Sequence, residues 1–526
     1  MSEGQLFVRA RLPKWDAWRL ALLATVLFLG GCGDPASEAY AEAQQAQALM
    51  EQGDLPGARM AVARAMAIRD DQVDILLLDA RIKYQMGDMR PAYDSFSLAL
   101  AIDPNNAEAL LGVAQLGMLS GNPREAGNAA DRILLMEPTQ PDALLIKGVQ
   151  ALDRRNFPEV IALGDRLIAA VPDDPRGVVL RARGLSLSGE RSEALALLRD
   201  ATARIGNNDM LATALLENAR DQGDPAVMLE QLAYLRQSRP DSLDLAIDEA
   251  NVRYKSGDLP GARRIGLEIL DKFGDNARAM TRLSDLWLEY DPDPLAPAER
   301  SALASGGKLG ARLTASRYYL ARGEPDAATA LLGSRVDARE AALTGRIALA
   351  IGKPDGAAIA EAVAKQDATD CDAQAAIAED RLRRGNPRGA IVAAQVVAAE
   401  CLDRNDGFLL LARAYAAQKH PPGVERVYRE GVAARPLDRP LTAAFARWLL
   451  TQDRPDAAVS VARRLTQLVP AKVSSWQLLA DICQRAGNPT CRATALAQEK
   501  IARTNFAMDL PPGERPVNAL LGQSWR

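Results

Sequence analysis

The chain has 526 residues and a formal net charge of −4, with 64 Lys and Arg against 68 Asp and Glu. This balance excludes the basic excess on which nucleic-acid binding depends. Hydrophobic residues make up 48% of the chain but aromatic residues only 5%, so alanine and leucine must supply most of the core. Length alone would predict two or three globular domains.

Residues 1–31 predict a signal peptide. Basic residues precede an apolar run of ten, Leu20 to Leu29, and the small residues Gly30 and Gly31 then lead to Cys32. A membrane-spanning helix needs about 20 apolar residues, so the run is short for a span and fits a cleaved signal. An uncleaved anchor followed by an incidental cysteine is the alternative.

The segment Leu29-Gly30-Gly31-Cys32 resembles the lipobox of bacterial lipoproteins. The resemblance implies that Cys32 is acylated and becomes the N-terminus after cleavage, with residues 32–38 as a polar tether. A lipid of this kind holds a protein to a membrane without spanning it. We therefore expect an exported protein that faces the periplasm, anchored to either the inner or the outer membrane.

Turns at a fixed spacing of 34 residues organise the chain that follows. Six of the seven begin with glycine, which provides the left-handed backbone that ends a helix. Prolines close four of the units, and small residues flank most turns, as close helix packing requires. A period of this length indicates a repeat of helix hairpins. The turn residues are Gly53, Gly87, Gly121, Arg155, Gly189, Gly223 and Gly257.

This spacing and these residue types resemble the tetratricopeptide repeat (TPR) family. Leu76, Leu110 and Val178 replace most of the large aromatic residues of that family's pattern, and Phe96 keeps one. The resemblance implies an all-α fold, a right-handed α-solenoid of about fourteen TPR-like helix hairpins. In such an array each unit packs only on its neighbours.

Regularity varies along the array and predicts three parts and a tail. Residues 39–284 hold the regular N-terminal repeats, residues 285–355 hold irregular TPR-like units, and residues 356–503 hold a C-terminal array. Residues 504–526 contain several prolines and fit no long helix. That tail either caps the apolar end that a repeat array exposes or forms a loose terminus.

The sequence offers little that could catalyse a reaction. Its one histidine, His420, lies in a turn beside two prolines, and no phosphate-binding glycine loop, zinc-ligand spacing or nucleophile motif occurs. We therefore expect a binding protein without cofactor or metal rather than an enzyme. An enzyme with an unrecognised site is the alternative.

The TPR resemblance also implies a binding groove lined by the first helix of each hairpin. Tyrosine and arginine, which anchor many interfaces, both occur at the implied positions. The alternative is a solvated inner face without a ligand. The family's two-carboxylate clamp is not expected, because Leu77 and Leu111 stand where it needs polar residues. The implied groove residues are Asp74, Arg81, Tyr84, Gln115, Arg183, Asn251 and Tyr254.

Four cysteines follow Cys32, and they fall as two pairs within two predicted hairpins. Cys371 opens a first helix and Cys401 ends the second helix of the same unit, while Cys483 and Cys491 flank a turn. Antiparallel packing brings both pairs together, and an oxidising compartment permits disulfides. We expect the bonds Cys371–Cys401 and Cys483–Cys491; four unrelated small core residues are the alternative.

These features together predict a lipid-anchored TPR scaffold that binds other proteins and no nucleic acid. Lipid-anchored TPR proteins serve envelope assembly, and the long array weakly resembles TPR lipoproteins of exopolysaccharide export and exosortase systems. The expected function is therefore a scaffold in cell-envelope or exopolysaccharide export assembly, an expectation that rests on fold and location. The alternative is a periplasmic chaperone-like receptor for exported peptides or for outer-membrane protein assembly.

The anchor predicts that the Cys32→Ala variant is not acylated, because the lipid attaches to the thiol of that residue. The precursor then stays uncleaved or the protein is shed from the membrane. Lipid labelling and membrane fractionation of wild-type and variant protein measure both effects. A wild-type protein that is cleaved before Cys32 and carries no lipid there contradicts the prediction.

Overall fold

The structure is a computed structural model that describes residues 34–332 and 337–507. The chain divides into two compact units, residues 1–135 and residues 136–526. The predicted signal peptide, the lipidation site at Cys32 and the end of the tail, residues 508–526, lie outside the described residues. None of the described helices is long and apolar enough to cross a membrane.

Every regular element of the described residues is an α-helix, and the 28 helices succeed one another in pairs. The predicted all-α repeat of about fourteen hairpins is therefore confirmed. Odd-numbered helices are the first helices of the pairs. The helices are α1 (Pro35–Glu51), α2 (Leu55–Ile68), α3 (Val73–Gln85), α4 (Met89–Ile102), α5 (Ala107–Leu119), α6 (Pro123–Met136), α7 (Pro141–Asp153), α8 (Phe157–Ala170), α9 (Pro175–Ser188), α10 (Arg191–Ile205), α11 (Asp209–Gln222), α12 (Pro225–Ser238), α13 (Leu243–Lys255) and α14 (Leu259–Phe273). They continue with α15 (Ala277–Tyr290), α16 (Pro297–Gly306), α17 (Leu309–Ala321), α18 (Pro325–Ala330), α19 (Ala338–Ala350), α20 (Asp355–Gln366), α21 (Cys371–Arg383), α22 (Pro387–Glu400), α23 (Asp406–Ala417), α24 (Pro421–Ala434), α25 (Arg439–Thr451), α26 (Pro455–Leu468), α27 (Val473–Arg485) and α28 (Pro489–Thr504).

The first helix begins at Pro35, earlier than the predicted start of the array at residue 39. The Asp34 carboxylate accepts a hydrogen bond from the Ala36 backbone N–H at 3.2 Å. Proline at the first helical position lacks the N–H that would otherwise be unsatisfied there. The last part of the segment predicted as a tether, residues 32–38, is therefore helical.

All seven predicted turn residues have left-handed backbone, with φ between 58° at Arg155 and 96° at Gly189. At the end of α3, the Gly87 N–H donates to the Tyr84 carbonyl at 3.0 Å, and the next N–H donates to the Lys83 carbonyl at 2.9 Å. These bonds satisfy carbonyls that the helix end leaves free. The chain can then enter α4 after a turn of three residues, as the period predicts.

Small residues lie where neighbouring helices approach each other. Ala80 on α3 and Ala92 on α4 are fully buried. A Cβ atom added to Gly164 on α8 would lie 2.7 Å from the Cβ atom of Arg181 on α9, which is too close for two carbon atoms. The close helix spacing explains why alanine and glycine, rather than aromatic residues, fill much of this core.

The region predicted to be irregular, residues 285–355, contains the short helices α16 and α18. A buried polar residue fixes its start. Asp291, 2% exposed, accepts hydrogen bonds from Arg263 Nε at 2.8 Å and Nη2 at 2.9 Å. The Tyr318 hydroxyl donates to the Asp291 carbonyl at 2.8 Å. These bonds hold the end of α15 against α14 and α17, where the 34-residue register is lost.

The end of the described chain packs on helices that lie much earlier in the second unit. Phe506 is 4% exposed and belongs to an apolar cluster built from α11, α12 and α13. Its carbonyl accepts a hydrogen bond from Arg220 Nη1 at 2.8 Å. Lys255 Nζ donates to the carbonyl of Ala471 at 2.7 Å and to that of Asn505. The first residues of the tail are therefore docked on the side of the array.

Helix α27 is joined to α15 at the same place. The Ser474 backbone N–H and hydroxyl both donate to the Glu289 carboxylate, the former at 3.0 Å. Lys472, which precedes α27, makes no capping bond with its side chain, so Glu289 supplies the acceptor that a helix N-terminus needs. The expectation that each repeat packs only on its neighbours is therefore wrong for the second unit. Here α27 and the first residues of the tail bond to helices among α11–α15, which lie far from them in the sequence.

The structure joins the four described cysteines in two pairs. Cys371, at the start of α21, and Cys401, directly after α22, have Sγ atoms 2.03 Å apart and Cα atoms 6.1 Å apart. Cys483 on α27 and Cys491 on α28 have Cα atoms 5.7 Å apart. Both Cα distances lie within the reach of a disulfide, roughly 7 Å.

We predict that the protein contains both bonds, Cys371–Cys401 and Cys483–Cys491, when it is recovered from an oxidising compartment. Replacing Cys371 and Cys401 by serine should lower the free energy of unfolding by about 3 kcal/mol if the chain-entropy account holds. The Cys483–Cys491 pair closes a shorter loop, so its removal should cost less. Mass spectrometry of unreduced peptides identifies the pairs, and four free thiols in protein from that compartment would contradict the prediction.

Candidate functional site

Four of the predicted groove residues lie in the first unit, on α3 and α5. Arg81 donates two hydrogen bonds to Glu108 of α5, at 2.5 and 2.7 Å. These bonds raise the pKa of Arg81, and the nearby charge of Asp74 adds to the effect. Tyr84 is 46% exposed and Gln115 is half-buried. The two helices thus present a polar surface whose arginine is already paired.

Pairs of arginine and carboxylate recur between successive first helices. Arg183 Nη1 on α9 lies 2.5 Å from Glu217 Oε2 on α11, and the two residues are 34 positions apart. The arginines that were predicted to bind a partner therefore bind carboxylates of this chain. The sequence contains a signal of this pairing, because the two oppositely charged residues are one repeat apart. Similar pairs are Arg176–Asp142, Arg220–Asp248 and Arg346–Glu379.

In the second unit, α9, α10 and α11 enclose a concave space of about 230 Å³ that we name the α9–α11 groove. Apolar side chains, among them Val179, Leu187 and Met210, line it beside the Arg183–Glu217 pair. Leu187 is 50% exposed. The groove therefore combines accessible apolar surface with a charged pair that can donate and accept hydrogen bonds.

A larger space in the second unit, named here the chamber, consists of two adjoining cavities of about 540 and 400 Å³. Helices α13, α15 and α17 form one side. The loops before α23 and α25 with the first residues of those helices, residues 403–406 and 435–440, form the other side together with Lys472. The chamber exists because Glu289 and the docked tail hold the end of the chain over α13 and α15.

The two predicted groove residues on α13 have different positions. Asn251 lines the chamber. Tyr254 is 4% exposed, its ring stacks on Tyr290 at a centroid distance of 5.7 Å, and its hydroxyl lies 3.3 Å from the Asp291 carboxylate. Tyr254 is thus a core residue whose ring no ligand can reach in this structure, because the break in register at Asp291 gives it an internal partner.

Sequence reasoning missed a charged residue that lines both cavities of the chamber. The Asp285 side chain on α15 is exposed to the chamber, and partial desolvation by the surrounding protein raises the pKa of its carboxyl. The positive charge of Lys472, across the chamber, acts in the opposite direction. No direct bond joins the two side chains in the described residues.

A buried ionic cluster holds one wall of the chamber. Asp372, 2% exposed, lies 2.6 Å from Arg317 Nη2, 3.3 Å from Arg346 Nη1 and 2.8 Å from Arg404 Nη2. Burial opposes ionisation of this carboxylate, but the three guanidinium groups outweigh it and hold the pKa of Asp372 well below its usual range. Asp406 accepts a further bond from Arg346 at 2.8 Å, so the loop that carries it is fixed to α19 and α21.

His420 has a structural task. Its Nδ1 atom accepts a hydrogen bond from the Gly423 N–H at 2.9 Å and so caps α24. Among residues 34–332 and 337–507, no group of three or more His, Cys, Asp and Glu side chains is placed to hold a metal ion.

Helix pairs with a 34-residue period and a left-handed residue at each regular turn define the type of repeat. In these features the repeats are similar to tetratricopeptide repeats. No protein-family model and no curated protein matches the sequence. Solved structures similar to parts of the chain include a TPR protein from Parabacteroides merdae, with 15% identity and a TM-score of 0.40 over 48% of this chain and 99% of that one.

Two further structures show the same partial likeness. PilW, described as a type IV pilus biogenesis factor, is 24% identical with a TM-score of 0.34, over 39% of this chain and 96% of its own. YrrB, described as a TPR protein with an unusual peptide-binding site, is 14% identical with a TM-score of 0.31, over 34% and 91%. These likenesses concern the TPR fold.

The ionic cluster predicts acid sensitivity of the second unit. Burial opposes ionisation of Asp406, but Arg404 and Arg346 lower its pKa from 3.8 to about 2. Its carboxylate therefore stabilises the fold fully above about pH 4, and this stabilisation is lost as the pH falls towards 2. The Asp406→Asn variant should lose about 2 kcal/mol at neutral pH and show a flatter dependence below pH 4.

Urea unfolding followed by circular dichroism at several pH values measures this effect. Asp200→Asn, at an exposed position of α10, is the matched control and should retain the wild-type profile. An Asp406→Asn protein with the same acid profile as the wild type would show that the cluster does not set the acid sensitivity.

Proposed function

We propose that the chain is an exported, lipid-anchored TPR scaffold that binds other proteins in cell-envelope or exopolysaccharide export assembly. The α9–α11 groove is the observation that supports the binding role. The lipobox-like sequence before Cys32 supports the anchor, and two cysteine pairs placed for disulfides support an oxidising location. The helix-hairpin fold itself leaves the function open.

The groove has the composition of a protein-binding surface. Exposed Leu187 and the neighbouring apolar residues offer area that a partner can cover. Asn218 donates to the Ser186 hydroxyl at 2.7 Å, so these polar side chains at the groove are held in defined orientations. Apolar contacts beside oriented polar groups are the usual arrangement at the centre and rim of interfaces.

A photoreactive amino acid in place of Leu187 tests this proposal in cells that produce the protein. We expect light to join it to a defined set of membrane or envelope proteins, which mass spectrometry identifies. Arg183→Glu places a negative charge beside Glu217 and should reduce the crosslinks several-fold. Val392 on α22, also apolar and 61% exposed, lies outside the groove and is the control position.

The identity of the crosslinked proteins separates the alternatives. Components of polysaccharide export or of cell-wall synthesis support the scaffold. A wide range of exported polypeptides supports the chaperone-like receptor instead. Absence of crosslinks at position 187, or the same products from position 392, rules out the groove as the binding surface.

A further inference from the structure

Some charged side chains that line the chamber make no bond to other groups in the described part of the chain. Most charged side chains that line it bond to other groups of the chain. Glu289, for example, accepts hydrogen bonds at the start of α27. Four side chains at its wall have no hydrogen-bond or ion-pair partner in the described part of the chain. They are Asp285, Asp403, Arg439 and Lys472.

These four groups are two acids and two bases, and they come from separate elements. Asp285 lies on α15, Lys472 directly precedes α27, and Asp403 and Arg439 lie on or next to the two loops of the opposite wall. Asp285 and Lys472 lie too far apart for a direct ion pair, which needs 4.0 Å or less, although each charge acts on the other. A ligand between them can bond to both.

The unpaired carboxylate of Asp285 makes such a ligand favourable. Asp285 is exposed to the chamber and has no bonded partner in the described residues, so a ligand can bond to it without breaking a bond within the chain. The charges of Arg282 on its own helix, of Arg435 and Asp438 on the facing loop, and of Lys472 act on it through space. A ligand cation at the Asp285 carboxylate would add a direct charge-assisted hydrogen bond to these longer-range interactions.

We infer that the chamber binds a short peptide segment that carries both basic and acidic side chains. Lys or Arg side chains of the segment bond to Asp285 and Asp403, and Asp or Glu side chains bond to Lys472 and Arg439. The inference deepens the proposed protein-binding function and rests on it. A purely acidic segment is repelled by the two aspartates, and a purely basic one by Lys472 and Arg439.

The size of the chamber fits a peptide segment of a few residues. Its two cavities, about 540 and 400 Å³, lie in the range of pockets that enclose drug-sized ligands. Polar groups for a peptide backbone are also present, since the Asn251 amide and the Thr281 hydroxyl line the larger cavity.

Fluorescence anisotropy with labelled peptides of about eight residues, long enough to include the few residues that the chamber can enclose, tests the inference on the full mature protein. Four peptides with blocked termini are compared: one with alternating Lys and Glu, one with Lys only, one with Glu only and one with Gln at all these positions. The mixed peptide should bind about tenfold more tightly than each of the others, the difference expected from one charge-assisted hydrogen bond.

Variants of the chamber residues separate a role in binding from a purely structural role, because they are expected to change the preference among the four peptides. Asp285→Asn and Lys472→Gln should each weaken the mixed peptide about tenfold. Asp285→Lys should reverse the preference and strengthen the Glu-only peptide. Asp200→Asn on α10 and Lys365→Gln on α20, both exposed and outside the chamber, are matched controls and should bind as the wild type does.

Equal affinity for the four peptides, binding of none of them, or unchanged binding by the chamber variants each overturns the inference. Circular dichroism confirms that every variant is folded. The α9–α11 groove shares no residue with the chamber. Failure of the peptides together with specific crosslinks at Leu187 therefore rejects the chamber as a site and leaves the proposed function standing.

Discussion

The chamber of the second unit depends on the bond between Glu289 and the start of α27. The N-terminus of a helix has free N–H groups and a partial positive charge, and α27 has no capping side chain of its own. Glu289 on α15 provides the carboxylate, so two segments 185 residues apart meet. Asp285 lies one helical turn before Glu289 and on the same face of α15. The contact that closes the chamber thus also directs Asp285 into it.

The hairpins could be predicted from sequence because each one is specified locally. A left-handed residue at Gly87, a polar residue after it and alanines at the helix contact act within a few positions, and the 34-residue period repeats them. The return of the chain onto α11–α15 could not be predicted. It depends on the sum of small rotations between repeats and on single residues, Phe506 and Glu289, that follow no period.

The candidate sites were predictable only in part, for the same reason. The TPR pattern places Arg183 and Asn251 on first helices, and in the structure both residues line open spaces. It could not show that Arg183 is bound to Glu217, although their spacing of one repeat contains that information. Tyr254 is buried because Asp291 interrupts the register beside it. Asp285 and Lys472 share the chamber only through closure, and no local pattern relates residues so far apart.

The wall of the chamber that contains the loops is held by a disulfide and by ion pairs. Loops are the mobile part of most folds, and a site built on them needs supporting contacts. Cys401 and Arg404 attach this loop to Cys371 and Asp372, two adjacent residues at the start of α21. A buried ion pair adds little net stability, but it requires a defined geometry. A disulfide acts differently, because it restricts the unfolded chain. Together they hold Asp403 at the chamber wall, so the position of this carboxylate depends on an oxidised Cys371–Cys401 bond.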